Sequence, residues 1–125
     1  MDKEVQRKKI LMVEDELIIN TYLSNFFRNA GYEVAVAGTG IEGLRMASEF
    51  CPDIVLLDLV LPDVDGVEVL SKLKKLNAKL PVIVVTGLGP DEEILAECGE
   101  YGVNGFVTKD STVDQLLMHV KRFIG

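Results

Sequence analysis

The residues in this chain that could do chemistry fall in a few short places. Glu14, Asp15 and Glu16 form one acidic run, and Asp58 is followed past Pro62 by Asp63 and Asp65. Thr86 precedes Gly87-Leu88-Gly89, and Lys109 sits between Thr108 and Asp110. Carboxylates drawn within a few ångströms of each other repel and raise one another's pKa unless a cation sits among them. A hard divalent ion relieves that repulsion. Mg2+ takes one or two carboxylates, keeps several waters and leaves room for phosphate oxygens. A hydroxyl from Thr86 and an ammonium from Lys109 would then complete a phosphate site. Taken singly, Glu14, Asp58 or Asp63 reads as an ordinary solvated loop acid. Their conjunction, with Glu14, Asp15, Asp58, Thr86 and Lys109 each just after a short apolar run, favours Mg2+ and phosphate. Glu16, Asp63 and Asp65 read as surface acids.

The elements that must position these groups are legible as hydrophobic pattern. Apolar runs at 10–13, 34–37, 54–57, 82–85 and 103–107 are continuous rather than alternating, and most are rich in β-branched residues. Such runs mark strands buried on both faces, as in a parallel sheet covered by helices. Helical spacing fills the gaps. It predicts helices over 16–29 (Ile19, Leu23, Phe26, Phe27 as the stripe), 40–50 (Ile41, Leu44, Ala47, Ser48) and 66–76 (Val69, Leu70, Leu73). In the last segment Val113, Leu116, Leu117, Val120 and Ile124 share one face, with Ser111 and Asp114 read as its N-cap. The segment 90–101 is acidic to its end and carries Gly99, so it is the most mobile of the five by expectation. The pattern is (βα)5, an α/β fold in one domain over 9–125, behind a loose leader at 1–8. In an open parallel sheet, ligands bind at the carboxyl ends of the strands, where the groups above fall. The last helix runs to the end of the chain, leaving output to a separate partner or a longer protein.

Composition narrows the functional classes. The 125 residues carry 20 Asp plus Glu against 13 Lys plus Arg, a net charge of −7, and 48% are apolar. This length suits one domain with a sizeable core. A pI near 4.7 argues against direct nucleic-acid binding, since Arg7-Lys8-Lys9 is too short a basic cluster to outweigh the rest. No apolar run approaches the roughly 18 residues of a membrane span, and the N-terminus has no signal-peptide core. Cys51 and Cys98 are too few for a disulfide framework or a zinc site and suit a reducing cytoplasm. His119 is the sole histidine, which excludes histidine-based triads within the chain.

Five stretches together resemble the receiver domain of two-component response regulators. They are Ile10-Leu-Met-Val-Glu-Asp-Glu16, Pro52-Asp-Ile-Val-Leu-Leu-Asp58, Leu61-Pro-Asp-Val-Asp-Gly66, Pro81-Val-Ile-Val-Val-Thr86 and Gly102-Val-Asn-Gly-Phe-Val-Thr-Lys109. The resemblance spans nearly the whole chain. It implies a flavodoxin-like, doubly wound parallel sheet in strand order 2-1-3-4-5. It also implies that Asp58 accepts a phosphoryl group from a phosphohistidine on a sensor histidine kinase or histidine phosphotransfer protein. By the same resemblance Asp15, Asp58 and the Val60 carbonyl would hold Mg2+, with Glu14 helping through a water. Lys109 would pair with the acceptor carboxylate and then with phosphoryl oxygen. Thr86 would donate its hydroxyl to the phosphoryl group, and Phe106 would be an aromatic switch turning into the space Thr86 leaves. The readout surface would be the fourth helix, fifth strand and fifth helix, facing a downstream target or output domain. A phosphorylation-dependent dimer through the fourth helix would need basic residues such as Lys121 and Arg122 to oppose its acids. The domain would catalyse only its own phosphorylation and dephosphorylation.

The chain departs from the family pattern in places. Asp110 follows Lys109 where proline is usual; without proline a cis bond costs about 2.5–4 kcal/mol, so a trans bond is expected. Gly87 fills a position where a small residue is usual. Val60 and Leu88, two residues beyond Asp58 and Thr86, are apolar and cannot orient a water, which predicts slow loss of the phosphoryl group. Other readings fit less well. A haloacid dehalogenase-type phosphatase needs a second acid where Val60 stands. A flavodoxin-like binding module needs a Ser/Thr/Gly phosphate cradle where Glu14-Asp15-Glu16 stands. A receiver-like binding module that is never phosphorylated has no need of Asp15, Asp58, Thr86 and Lys109 together.

Overall fold

The computed structural model describes residues 6–87 and 92–125. Five strands, β1 (Lys9–Val13), β2 (Glu33–Ala37), β3 (Ile54–Leu57), β4 (Val82–Thr86) and β5 (Gly105–Thr108), alternate with five helices. The helices are α1 (Leu17–Asn29), α2 (Gly40–Phe50), α3 (Gly66–Leu76), α4 (Glu92–Glu100) and α5 (Val113–Ile124). The strands form one parallel sheet in the order β2-β1-β3-β4-β5, the doubly wound arrangement expected.

The apolar runs are continuous because both faces of the sheet are covered. Ile10, Met12, Ile54, Leu56 and Ile83 point into one layer with Phe27 of α1 and Leu116 and Val120 of α5. Leu11, Val13, Val55, Leu57 and Val82 point into the other, with Val69, Leu70 and Leu73 of α3 and Cys98 of α4. The three inner strands β1, β3 and β4 thus have both side-chain sets removed from water, while the edge strands β2 and β5 are only partly buried. Register then fixes the site. β1 and β3 pair Val13 with Leu57, so Glu14 and Asp58 emerge side by side. The Asp58 amide bonds the Val13 carbonyl at 3.0 Å, and the Lys109 amide bonds the Thr86 carbonyl at 2.8 Å. At the opposite end Lys74 Nζ donates to the Leu80 carbonyl and to Asn104 Oδ1, both at 2.7 Å. Asn104 Oδ1 also accepts the Val82 amide at 2.9 Å, bolting α3 to the start of β4.

Several local expectations need correction. The N-cap of α5 is Thr112, not Ser111. The Thr112 hydroxyl accepts from the Gln115 amide, and the Gln115 side chain accepts from the Thr112 amide, a reciprocal box that satisfies two free donors. Ser111 Oγ instead lies 3.2 Å from Thr108 Oγ1. Ile41 is 64% exposed, so it is not on the buried stripe of α2. Gly40 and Gly43 take that face: a Cβ on Gly43 would lie 2.8 Å from Val13 Cγ2, so it lets α2 close onto the sheet, while a Cβ on Gly40 would meet Val64 and Val69, so it lets the start of α2 close onto α3 and the loop before it. β5 begins at Gly105 rather than 103, after a turn through Gly102 at φ +84°. The peptide bond after Lys109 is trans, as expected. Part of the 1–8 leader and Pro90 and Asp91 of the fourth helical segment lie outside the described residues. No helix among the described residues is long and apolar enough to cross a membrane.

Candidate functional site

At the carboxyl ends of β1, β3, β4 and β5, Glu14, Asp58 and Thr86 are all buried although polar. Lys109 Nζ reaches into them. It lies 2.9 Å from Glu14 Oε1, 2.9 Å from Asp58 Oδ2 and 2.8 Å from Glu16 Oε1. The other Asp58 oxygen accepts the Val60 amide at 3.1 Å, and Glu14 Oε2 accepts the Glu16 amide at 3.0 Å. Asp15, Glu16, Asp58, Val60, Thr86, Gly87 and Lys109 line an open pocket of 270 Å³.

The charges do not balance. Burial alone would lower the Lys109 pKa, but its bonds to Glu16, Glu14 and Asp58 overcome that and raise it. Ordinarily the same pairing would lower the acid partner. Glu14 nevertheless has its pKa raised, first by burial and further by the Asp58 charge, against the opposing pull of Lys109 and the Glu16 amide. One ammonium thus serves three carboxylates, two of them buried. Oxygens of Glu14, Glu16 and Asp58 lie within 4.8 Å of one another, a hard-oxygen set that suits Mg2+ by its chemistry.

The loop from β3 to α3 is held in place by its own acids. A Cβ on Gly66 would lie 2.3 Å from Leu59 Cα and 2.6 Å from the Leu59 carbonyl oxygen, so only glycine lets α3 start this close to Asp58. Asp65 caps α3 by accepting the Val67 amide at 3.0 Å. Asp63 turns away from the pocket and caps α2, accepting the Gly40 amide at 2.8 Å and the Ile41 amide at 2.9 Å.

Of the residues singled out by sequence, Glu14, Asp58, Thr86 and Lys109 converge. Asp15 lines the pocket with an exposed side chain, outside the three acids whose oxygens meet. Val60 is 73% exposed at the pocket rim. Leu88 lies outside the described residues. Phe106 is half-buried against the α2–α4 layer and borders a groove of 570 Å³ along α5 that also touches Met118, His119 and Arg122. Glu16, a surface acid by sequence, is exposed as expected and in addition pairs with Lys109. Its place next to two other acids was the available signal, but its partner lies 93 residues away.

A doubly wound parallel sheet with a buried carboxylate, hydroxyl and ammonium at its strand ends defines a class of acidic-pocket α/β domain. The family model of the response regulator receiver domain matches residues 10–121, and the chain belongs to that family. It is a receiver domain of the phosphorylation-dependent signalling proteins of two-component systems. It is 30% identical over 120 residues to sporulation initiation phosphotransferase F of Bacillus subtilis, covering 96% of each chain. A CheY-like receiver domain protein from Methanospirillum hungatei superimposes with a TM-score of 0.90 at 31% identity, covering 94% of this chain and 93% of that one. CheY in a CheX–CheY–BeF3–Mg complex from Borrelia burgdorferi superimposes with a TM-score of 0.85 at 25% identity, covering 94% and 90%. The chain spans about half the length of several other curated relatives, which are named as transcriptional regulators.

Proposed function

We propose that the domain, over 9–125 behind a short leader, accepts a phosphoryl group on Asp58 from a phosphohistidine of a kinase or phosphotransfer protein. The observation that carries this reading is Asp58 itself. It is a buried carboxylate with one oxygen held by Lys109 and the other by the Val60 amide, facing an open pocket beside Thr86. An Asp oxygen attacks phosphorus, the P–N bond to imidazole breaks, and the imidazole keeps the electron pair. Such transfers depend on positioning and charge neutralisation more than on covalent assistance from the protein. Lys109 holds the acceptor in place and then follows the charge onto a phosphoryl oxygen. Thr86 donates its hydroxyl to another.

Asp15, Asp58 and the Val60 carbonyl are the groups that would hold Mg2+, with Glu14 helping through a water. When bound, the ion neutralises phosphoryl charge that the single lysine cannot. The surface beside Lys109 is apolar: Ile18 is 85% and Tyr22 60% exposed, and a groove between α1 and α5 continues from Lys109 along Ile18, Tyr22 and Leu23. Its continuity with the acceptor pocket supports docking of the histidine-bearing donor there. Output follows from movement of Thr86 toward the phosphoryl group and of Phe106 behind it. The α4–β5–α5 surface, with the groove beside Phe106, is the face offered to a downstream target, an output domain or a second copy. The domain turns over nothing beyond its own phosphorylation and dephosphorylation, in the cytoplasm.

The test is direct. Incubated with acetyl phosphate and Mg2+, the protein should gain the mass of one phosphoryl group, and Asp58→Asn should gain none. Failure of the wild type to gain mass, or an unchanged gain in Asp58→Asn, overturns the assignment.

A further inference from the structure

We propose that Asp110 is a positioning residue for Lys109: it ends a side-chain clasp, running from Ser111 through Thr108 to Asp110, that fixes the turn carrying the ammonium. The inference rests on the reading of Asp58 as acceptor. Thr108, Lys109, Asp110 and Ser111 form the turn between β5 and α5, closed by the Ser111 amide on the Thr108 carbonyl at 3.0 Å. Within the turn the Thr108 hydroxyl donates to Asp110 Oδ1. Ser111 Oγ lies 3.2 Å from Thr108 Oγ1. A hydroxyl has one hydrogen to give. That of Thr108 goes to Asp110, so Ser111 is the donor of the second bond and the chain of bonds has one direction.

The turn has little else to hold it. Residue 110 stands where the family resemblance leads to proline, and aspartate keeps the freedom in φ that a ring would remove. Thr108 and Ser111 border open grooves on two sides, one toward α1 and one beside Phe106, so packing does not enclose them. The Lys109 backbone is tied by its amide to the Thr86 carbonyl at 2.8 Å. Its carboxylate partners grip only the far end of a long side chain. One of them, Asp58, loses its charge on phosphorylation. The clasp keeps the stem of Lys109 aimed at the acceptor through that change. Phosphoryl transfer gains its rate largely from positioning of this kind.

The experiment reads two quantities: the rate of mass gain from acetyl phosphate at saturating Mg2+, and the 1H–15N ammonium resonance of Lys109 in the unphosphorylated protein, identified by its loss in Lys109→Arg. Thr108→Val removes the hydroxyl at nearly constant shape and charge. Asp110→Ala removes acceptor and charge, and Asp110→Asn removes the charge while keeping an acceptor oxygen. Thr108→Val and Asp110→Ala should each slow phosphorylation about three- to tenfold and shift or broaden the Lys109 resonance. The double variant should be no slower than the slower single one, because both changes break one chain. Asp110→Asn should match or exceed the wild-type rate. Loss of a negative charge by itself favours an anionic donor, so charge and clasp act in opposite directions. Rates within about twofold of wild type for both Thr108→Val and Asp110→Ala overturn the proposal. So do additive losses in the double variant, or a loss in Asp110→Asn as large as in Asp110→Ala. An unmoved Lys109 resonance beside a lowered urea midpoint marks a merely structural role and overturns it as well. If wild type gains no mass, or Asp58→Asn gains as much, the acceptor reading fails instead, and the resonance alone still judges the clasp.

Discussion

Replacing Gly66 by alanine tests whether the β3–α3 loop is as tightly built as its contacts say. The new Cβ would lie 2.3 Å from Leu59 Cα, 2.6 Å from the Leu59 carbonyl oxygen and 2.8 Å from the Asp58 carbonyl oxygen. All three are backbone atoms, so no side-chain rotation relieves the clash. Ordinary contact requires the loop to retreat by about 1 Å, and overpacking of that kind costs about 1–3 kcal/mol. The displaced atoms belong to Leu59 and to Asp58, the proposed acceptor, so the retreat acts on the site as well as on the fold. A misplacement of about 1 Å in a reacting group costs about a hundredfold in rate. Gly99 supplies the control: a Cβ there meets nothing within 4 Å, and the residue sits in the exposed end of α4. Gly99→Ala should therefore stabilise by about 0.5–1 kcal/mol while leaving phosphorylation unchanged. Urea denaturation gives the stabilities, and the rate of mass gain from acetyl phosphate gives the chemistry. If Gly66→Ala unfolds at the wild-type urea midpoint and is phosphorylated at the wild-type rate, the close approach is not a constraint and the account of the loop is wrong.

Val60→Asn places a water-orienting amide at the pocket rim and should shorten the phosphoryl half-life about tenfold; a wild-type half-life of only seconds at neutral pH would contradict the role given to Val60. Lys74→Met removes two bonds to the start of β4 and β5 and should cost about 1 kcal/mol after allowance for solvent screening, read by urea denaturation, with phosphorylation unaffected. The bonds of Asp63 to the Ile41 and Gly40 amides hold its pKa below the ordinary 3.8. A folded-state pKa below the unfolded one gives stability that is complete above the unfolded value and lost as pH falls through the folded one. The stability advantage of wild type over Asp63→Ala should accordingly be constant near neutrality and shrink on acidification below about pH 4, as followed by urea midpoints across pH; a gap independent of pH through that window would refute the capping role.

The strands and the strand-end chemistry are legible in sequence for one physical reason. Burial on both faces forces continuous apolar runs, and polar groups can appear only where such a run stops. Glu14, Asp58 and Lys109 stand at those stops, and Thr86 is the last residue of its strand. What sequence conceals is reach. Glu16 and Lys109 are far apart in the chain, and only the β2-β1-β3-β4-β5 order, itself taken from family resemblance, brings β5 near enough for an ammonium to meet three acids. Asp63 is a similar case: nothing local distinguishes a loop acid facing a pocket from one capping a helix that precedes it by 23 residues. Ile41 fits a helical period equally well, but Gly43 sets the face of α2 that touches the sheet and Gly40 the face that touches α3 and its loop.

The same architecture explains why the acids cannot relieve their own repulsion. Ile10 to Val13 and Ile54 to Leu57, the residues that deliver Glu14 and Asp58, are each at most 2% exposed and locked in adjacent parallel strands. Their backbones cannot separate without opening both core layers. Burial, with the Asp58 charge adding to it, holds the Glu14 pKa up in spite of Lys109. Cations that bind the folded pocket and not the unfolded chain must then stabilise the fold by mass action. The rigidity that protects the sheet is thus also what holds the acids of the proposed metal and phosphoryl site together: the strands supply the stability, and their ends supply the clustered carboxylates.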